Sequence, residues 1–272
     1  MTDSFVWGGK SKQLYDTLFR VPRQNGLQSI QISGEGGSKE LSSWRVRLDP
    51  GESVVFRPKD TEAVFVLQEG AGKLQIAEEV WEVARKSVFE QRATALYLPP
   101  RLNLTIAAVD RLEGIIVTAP TEEDGSPALI GPEQITVNQR GAANYAREVH
   151  DILVSDPFAK RLMIGETFNP AGNWSSYPPH KHDGADGEPR LEEVYHYRVD
   201  PPSGFGHQAL YTADGESITH MVRDGDAVTI PYGYHPVSAP PGYRLYYLWA
   251  LVGEHRKLAV FEDPQHSWIA AK

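Results

Sequence analysis

The segment Tyr177-Pro178-Pro179-His180-Lys181-His182-Asp183-Gly184 places two histidines two residues apart. In an extended chain such residues point to the same side. A carboxylate follows at Glu192 or Glu193, where the run Glu193-Val194-Tyr195-His196-Tyr197 begins, and a third imidazole, His235, stands behind Pro231-Tyr232-Gly233-Tyr234. Three imidazoles and one carboxylate suit a borderline divalent cation: Zn, Mn, Fe, Ni or Co. Any one histidine is more often packing or surface than ligand; the paired histidines, the carboxylate opening a strand and the third histidine after Pro-x-Gly together argue against chance. Such a donor set leaves positions open for substrate and water, the arrangement of a catalytic rather than a closed structural site.

The remaining histidines carry less. His196 is out of phase with Glu193 and is expected to face away from the interior. His150, His220, His255 and His266 lack ligand-like spacing and read as surface or packing residues. Of the neighbours His207 and Gln208 only one can face inwards. Tyr195, Tyr197, Tyr243, Tyr246, Tyr247 and Trp249 are expected to fill a core, a few of them lining a pocket.

The elements that must position these residues are short β-type runs broken by Pro and Gly. Strands are predicted at Trp44–Leu48, Ala63–Leu67, Gly114–Thr118, Leu162–Phe168, Glu193–Val199, Ala227–Ile230 and Leu245–Leu251. Leu14–Arg20 is either a helical turn or a strand end, and Arg140–Asp151 a loop followed by a polar strand. With 20 Pro and 24 Gly marking turns, the pattern is all-β, a sandwich or barrel. A skeleton repeats: Asp49-Pro50-Gly51, then Gly70, then Tyr97-Leu98-Pro99-Pro100 in the first half; Asn169-Pro170-Ala171-Gly172, then Gly204, then Ile230-Pro231-Tyr232-Gly233 in the second. That predicts two jelly-roll barrels, over 1–125 and 126–272, joined through a polar linker near Thr121–Pro132. The first half has no histidine; Arg57, Lys59 and Glu62 stand where ligands would be, so that barrel is expected to be metal-free. Arg57 and Lys59 could alternatively bind an anion.

Composition narrows the function classes. The chain of 272 residues carries a net charge of −9 without a basic stripe, which argues against nucleic acid as a partner. No apolar run approaches the ~20 residues of a membrane helix. Met1–Phe5 lacks the basic and apolar regions of a signal peptide. The absence of cysteine excludes disulfides and thiolate ligands and fits a cytoplasmic protein.

The order His-x-His, Glu, Pro-x-Gly-x-His resembles the paired cupin motifs, and the cupin pattern Glu-x-Tyr favours Glu193 over Glu192 as the ligand. The longer stretches Gly172–Asp183, Leu191–Tyr195, Pro201–Gly206, Val222–Asp226 and Pro231–Ala239 resemble the 5-deoxy-glucuronate isomerase family, bicupin enzymes of myo-inositol catabolism related to 5-keto-4-deoxyuronate isomerase. The similarity is dense from about Arg140 onwards and looser, but collinear, before it. The resemblance implies a bicupin (double-stranded β-helix) fold and metal ligands His180, His182, Glu193 and His235. It further implies conversion of 5-deoxy-D-glucuronate, a sugar acid, to 2-deoxy-5-keto-D-gluconate. A Lewis acid would stabilise the enediolate formed at C1 and C2. A base, if a hydride shift does not replace it, is expected at Glu192, at a pocket tyrosine such as Tyr195, or at a metal-bound hydroxide. The substrate carboxylate calls for an arginine: Arg147, Arg190, Arg223 and Arg244 are candidates, with Tyr247 lining the site. Competing readings are the sister uronate isomerase, a cupin dioxygenase, and a sugar-binding cupin without activity.

Overall fold

A computed structural model describes Leu14 and residues 16–269; Met1–Phe5 lies outside the described residues. Among the described residues every long element is a strand, and the segments Pro132–Gln134, Ala143–Tyr145 and Ser267–Ile269 are single 3-10 turns. The predicted strands form with modest extensions; Ala227–Ile230 has the expected bounds, while Ala63–Leu67 is the inner part of a long strand, Thr61–Ile76.

The duplication is visible in the order of hydrogen-bonded neighbours. In the first half a large sheet runs Thr94–Leu98, Thr61–Ile76, Leu112–Pro120, Ser42–Leu48, Gly26–Gln31. In the second it runs Ala227–Ile230, Leu191–Asp200, Arg244–Gly253, Leu162–Asn169, Arg147–Leu153. Each large sheet is closed at one edge by a strand from outside its expected domain. Leu18–Phe19, near the chain start, pairs with Ala227–Ile230, and Ala128–Ile130, inside the presumed linker, pairs with Thr94–Leu98. The 1–125 and 126–272 division is therefore crossed in both directions, because a sheet edge is satisfied by whichever strand reaches it.

Alternation sorts the side chains into three apolar layers. One cluster, with Ala63, Phe65, Leu67, Leu98 and Ile116, fills the first barrel. A second, with Tyr195, Tyr197, Tyr247 and Trp249, fills the other. The third lies between the two large sheets, where Val64, Val66 and Val117 meet Val194, Tyr246 and Leu248. Polar groups also cross this middle layer, several of them in hydrogen-bonded sets. The Arg85 guanidinium, fully buried, donates to both oxygens of Glu166 at 2.7 and 2.9 Å. Glu62 of the first half accepts the backbone N–H groups of Lys160, Arg161 and Leu162 and the Tyr97 hydroxyl. In return, Glu192 accepts the N–H groups of Lys39 and Glu40 and the Ser38 hydroxyl.

Candidate metal centre

Register places the inward row of the second barrel. Met163 lies opposite Leu251, Leu251 opposite Glu193, and Glu193 opposite Ile230. Two residues along, Gly165 lies opposite Trp249 and Trp249 opposite Tyr195. A Cβ on Gly165 would meet the Trp249 ring at 2.0 Å, so the absent side chain is what lets the indole lie flat there. Glu193 and Tyr195 thus project into the barrel, and Glu192, Val194 and His196 project to the middle layer.

The first of the paired histidines lies on the two-residue strand His180–Lys181, which is held by Phe261–Glu262 in antiparallel pairing, and His182 follows directly after it. Lys181, facing the other way, bonds Asp183, Asp186 and Glu188, and its ammonium lies 5.3 Å from the centre of the Phe261 ring. Asp183 reaches across to accept the Gly233 N–H at 3.0 Å, tying this loop to the turn that carries His235. Gly233 has φ +83°, and a Cβ there would sit 2.6 Å from the Tyr211 carbonyl oxygen, so this turn requires glycine. Gln208 is fully buried, accepts the Tyr197 hydroxyl, and donates to the His235 carbonyl at 2.9 Å. It, rather than the half-exposed His207, faces inwards.

His182, Glu193 and His235 are all buried, and their potential ligand atoms lie within 4.8 Å of one another. Glu193 Oε2 is 3.0 Å from His182 Nε2 and 3.5 Å from His235 Nε2. The His180 ring stands outside that tight group, with its centre 4.8 Å from that of His235 and the rings edge to face. Each Nδ1 meets a backbone carbonyl: His182 with Leu191 at 2.9 Å, His235 with Gly233 at 3.1 Å, His180 with Pro178 at 3.3 Å. Such a bond fixes the tautomer that leaves Nε2 free to ligate. His235 Nε2 is buried without a hydrogen-bond partner, a costly state that a bound cation would relieve. The residues therefore fit a divalent ion.

The electrostatics keep two of the three imidazoles neutral, while the third leans on the neighbouring carboxylate. Burial, followed by the charges of His180 and His182, pushes the His235 imidazole well below its usual range. Burial and His182 push His180 down to about 3. Burial also pulls on His182, but the hydrogen bond and charge of Glu193 outweigh it and raise this imidazole. Tyr195 and Tyr247 stack at 4.3 Å, and the Ser176 hydroxyl lies 3.0 and 3.3 Å from their oxygens. Ser176 has φ 49°, unusual for a residue with a side chain. Burial, then the Glu193 charge, raises the Tyr195 phenol well above its ordinary value.

Several expectations are corrected. Glu192 is no candidate base, because its carboxylate is directed to Ser38, Lys39 and Glu40 of the other half. Arg223 is exposed on the small sheet, and Arg244 is an exposed partner of Asp200; neither points into the barrel, and Arg190 is likewise exposed. His196 does face away from the barrel interior but is not at the surface: it is buried in the middle layer, and burial and Arg45 push its imidazole down to about 3. His150 and His220 are buried too, bonded to Glu148 at 2.6 Å and Thr17 at 2.8 Å. In the first half, Leu98 before Pro99 pairs with Ala63, as Ile230 before Pro231 pairs with Glu193. The ligand carboxylate is thus matched by Ala63, and Glu62 matches Glu192. Arg57 and Lys59 are exposed.

Two β-barrels with a histidine–carboxylate group inside one of them define a bicupin. At the level of fold alone, the chain superposes on an oxalate decarboxylase from Lactobacillus farciminis with TM-score 0.65 at 11% identity, over 95% of this chain and 89% of that one. Residues 20–269 match the model of the KduI/IolB family, and the chain belongs to that family. It is 38% identical to a 5-deoxy-glucuronate isomerase of Geobacillus thermodenitrificans, over 91% of this chain and 93% of the relative. It is 40% identical to the one from Geobacillus kaustophilus, over 91% and 92%. An IolB-like protein from Salmonella typhimurium LT2 superposes with TM-score 0.89 at 33% identity, over 94% of this chain and 99% of that one.

Proposed function

We infer that this chain is an isomerase that converts 5-deoxy-D-glucuronate to 2-deoxy-5-keto-D-gluconate, an aldose–ketose isomerisation in inositol breakdown. The observation that carries the reading is sustained identity, across both barrels, to relatives bearing that isomerase name. The donor group of the second barrel supplies a chemistry to go with it. We assign His180, His182, Glu193 and His235 as the residues that hold a divalent cation. When bound, such an ion supplies a Lewis acid for the carbonyl oxygen and the adjacent hydroxyl of the open-chain sugar.

The protein's own groups divide the remaining work. The carbonyl contacts at Nδ1 hold the imidazoles in the ligating tautomer and orientation. Tyr195 and Tyr247, bridged by Ser176, sit deep in the barrel beside Glu193. Because burial keeps the Tyr195 phenol protonated, it is suited to donate to an oxygen that gains charge, and not to remove the C2 proton. The aromatic walls exclude water from the enediolate.

The test is anaerobic incubation of the purified protein with 5-deoxy-glucuronate, with the ketose product followed by NMR. An isomerase turns over without oxygen; turnover only in air would indicate a dioxygenase, and a thermal shift without product a binding module.

A further inference from the structure

A sugar acid brings a carboxylate that the groups assigned so far do not meet. Arg147 opens the strand Arg147–Leu153, two residues before Val149, which packs against the core of the second barrel. Glu148 and His150, between and beyond them, bond each other on the opposite face. Arg147 therefore lies on the row that faces the metal-centre barrel. Its Nη1 donates to the Tyr145 carbonyl at 3.2 Å and to the Tyr177 carbonyl at 2.9 Å, the latter in the turn that delivers His180.

Among the described residues no carboxylate lies within ion-pair distance of this guanidinium, whereas Arg20, Arg85, Arg161, Arg198 and Arg244 each meet one. Its charge is felt at the Tyr247 and Tyr195 hydroxyls and at the His180 imidazole. Burial already lowers the Arg147 pKa, so its charged form is partly stripped of water without a counter-ion. A dehydrated, unpaired cation is costly, and an arriving carboxylate offsets that cost with charge-assisted hydrogen bonds. The two bonds to carbonyls use only one nitrogen of the fork, leaving other N–H groups for a ligand.

We propose that Arg147 binds the carboxylate of the substrate and so sets the specificity of this site for sugar acids over neutral sugars. The proposal rests on the isomerase reading above. It replaces Arg223 and Arg244, which point elsewhere.

The experiment compares the acid with its neutral counterpart, 5-deoxy-glucose, in which a hydroxymethyl group replaces the carboxylate. Arg147→Met should lower kcat/KM for the acid by about 10–100-fold, the worth of one charge-assisted contact. The same variant should leave the neutral sugar within threefold of the parent protein. Arg147→Ala should regain activity on the acid, and not on the neutral sugar, when millimolar guanidinium is added. Equal losses on both sugars, with no guanidinium rescue, would make Arg147 a mere prop for the Tyr177 turn and overturn the proposal. An unchanged kcat/KM for the acid would overturn it as well. If the parent protein turned over neither sugar, the isomerase reading would fail first and take this proposal with it.

Discussion

The two barrels share a strand order and a register, so their interiors can be compared position by position. Where the second barrel has Glu193, Tyr195, Tyr197 and Tyr247, the first has Ala63, Phe65, Leu67 and Gly114. The first interior is a continuous apolar cluster, and the space of Gly114 is filled by Phe65, whose ring would lie 2.3 Å from a Cβ there. The second interior gives up that apolar filling for a carboxylate, imidazoles and phenols, each bonded to a neighbour or awaiting a ligand. The same backbone thus supports an apolar packed core or an interior lined by polar, potentially metal-ligating groups. The choice rests with a handful of inward residues, while the outward residues of both sheets serve the layer between them.

The comparison breaks most sharply at the ligands. His182→Ala or His235→Ala should lower isomerase activity by roughly three orders of magnitude or more, with the β-type circular dichroism retained, because both barrels have apolar cores of their own. Metal analysis should find one divalent ion per chain, lost from these variants and on chelation. Two tightly held ions per chain would show that the first barrel had been misjudged.

The clasping glutamates come next. Glu62→Ala leaves three N–H groups, one of them fully buried, and a buried phenol unpartnered and should cost about 4 kcal/mol in urea unfolding. Glu192→Ala, at the equivalent place, should cost about 2–3 kcal/mol. Its kcat should stay within threefold of the parent, since this carboxylate faces away from the ligand row; a loss of a hundredfold or more would restore it as the base.

The smallest effect concerns His196. Its imidazole is held neutral down to about pH 3, whereas an unfolded histidine protonates near pH 6.5. Between these values the unfolded chain binds the extra proton, so the stability this group contributes is complete above pH 6.5 and lost as pH falls. Between pH 7 and pH 5 the loss should be about 2 kcal/mol, and His196→Gln should remove that much of the acid sensitivity in denaturant titrations at the two pH values.

The local signals were readable because they depend on neighbours in sequence. Alternation located the strands, and the two-residue spacing put His180 and His182 on one side. The Glu-x-Tyr pattern selected Glu193, which the register places beside His182 and His235. Matching Glu62 to the ligand carboxylate failed by one residue, and in a strand one residue reverses the face. The arginines failed for another reason: Arg223 and Arg244 lie near the site's motifs in sequence, but the surface location of their strand ends is set by sheet packing. Arg147 stands 33 residues before His180, and only the turn at Tyr177 brings it back. The pairing of Leu18 with Val228 joins residues too far apart for any periodicity to reveal.

That pairing has a consequence for how the molecule is made. Synthesis runs from the N-terminus, so the strand that finishes the second large sheet leaves the ribosome first, some two hundred residues before its partner at Ala227–Ile230. The first sheet, by contrast, is completed when Ala128–Ile130 emerges, soon after the rest of its barrel. The early barrel can close while translation continues, as domains generally do. The second barrel must wait for nearly the whole chain, and its closing piece is already tethered nearby through the barrel that precedes it.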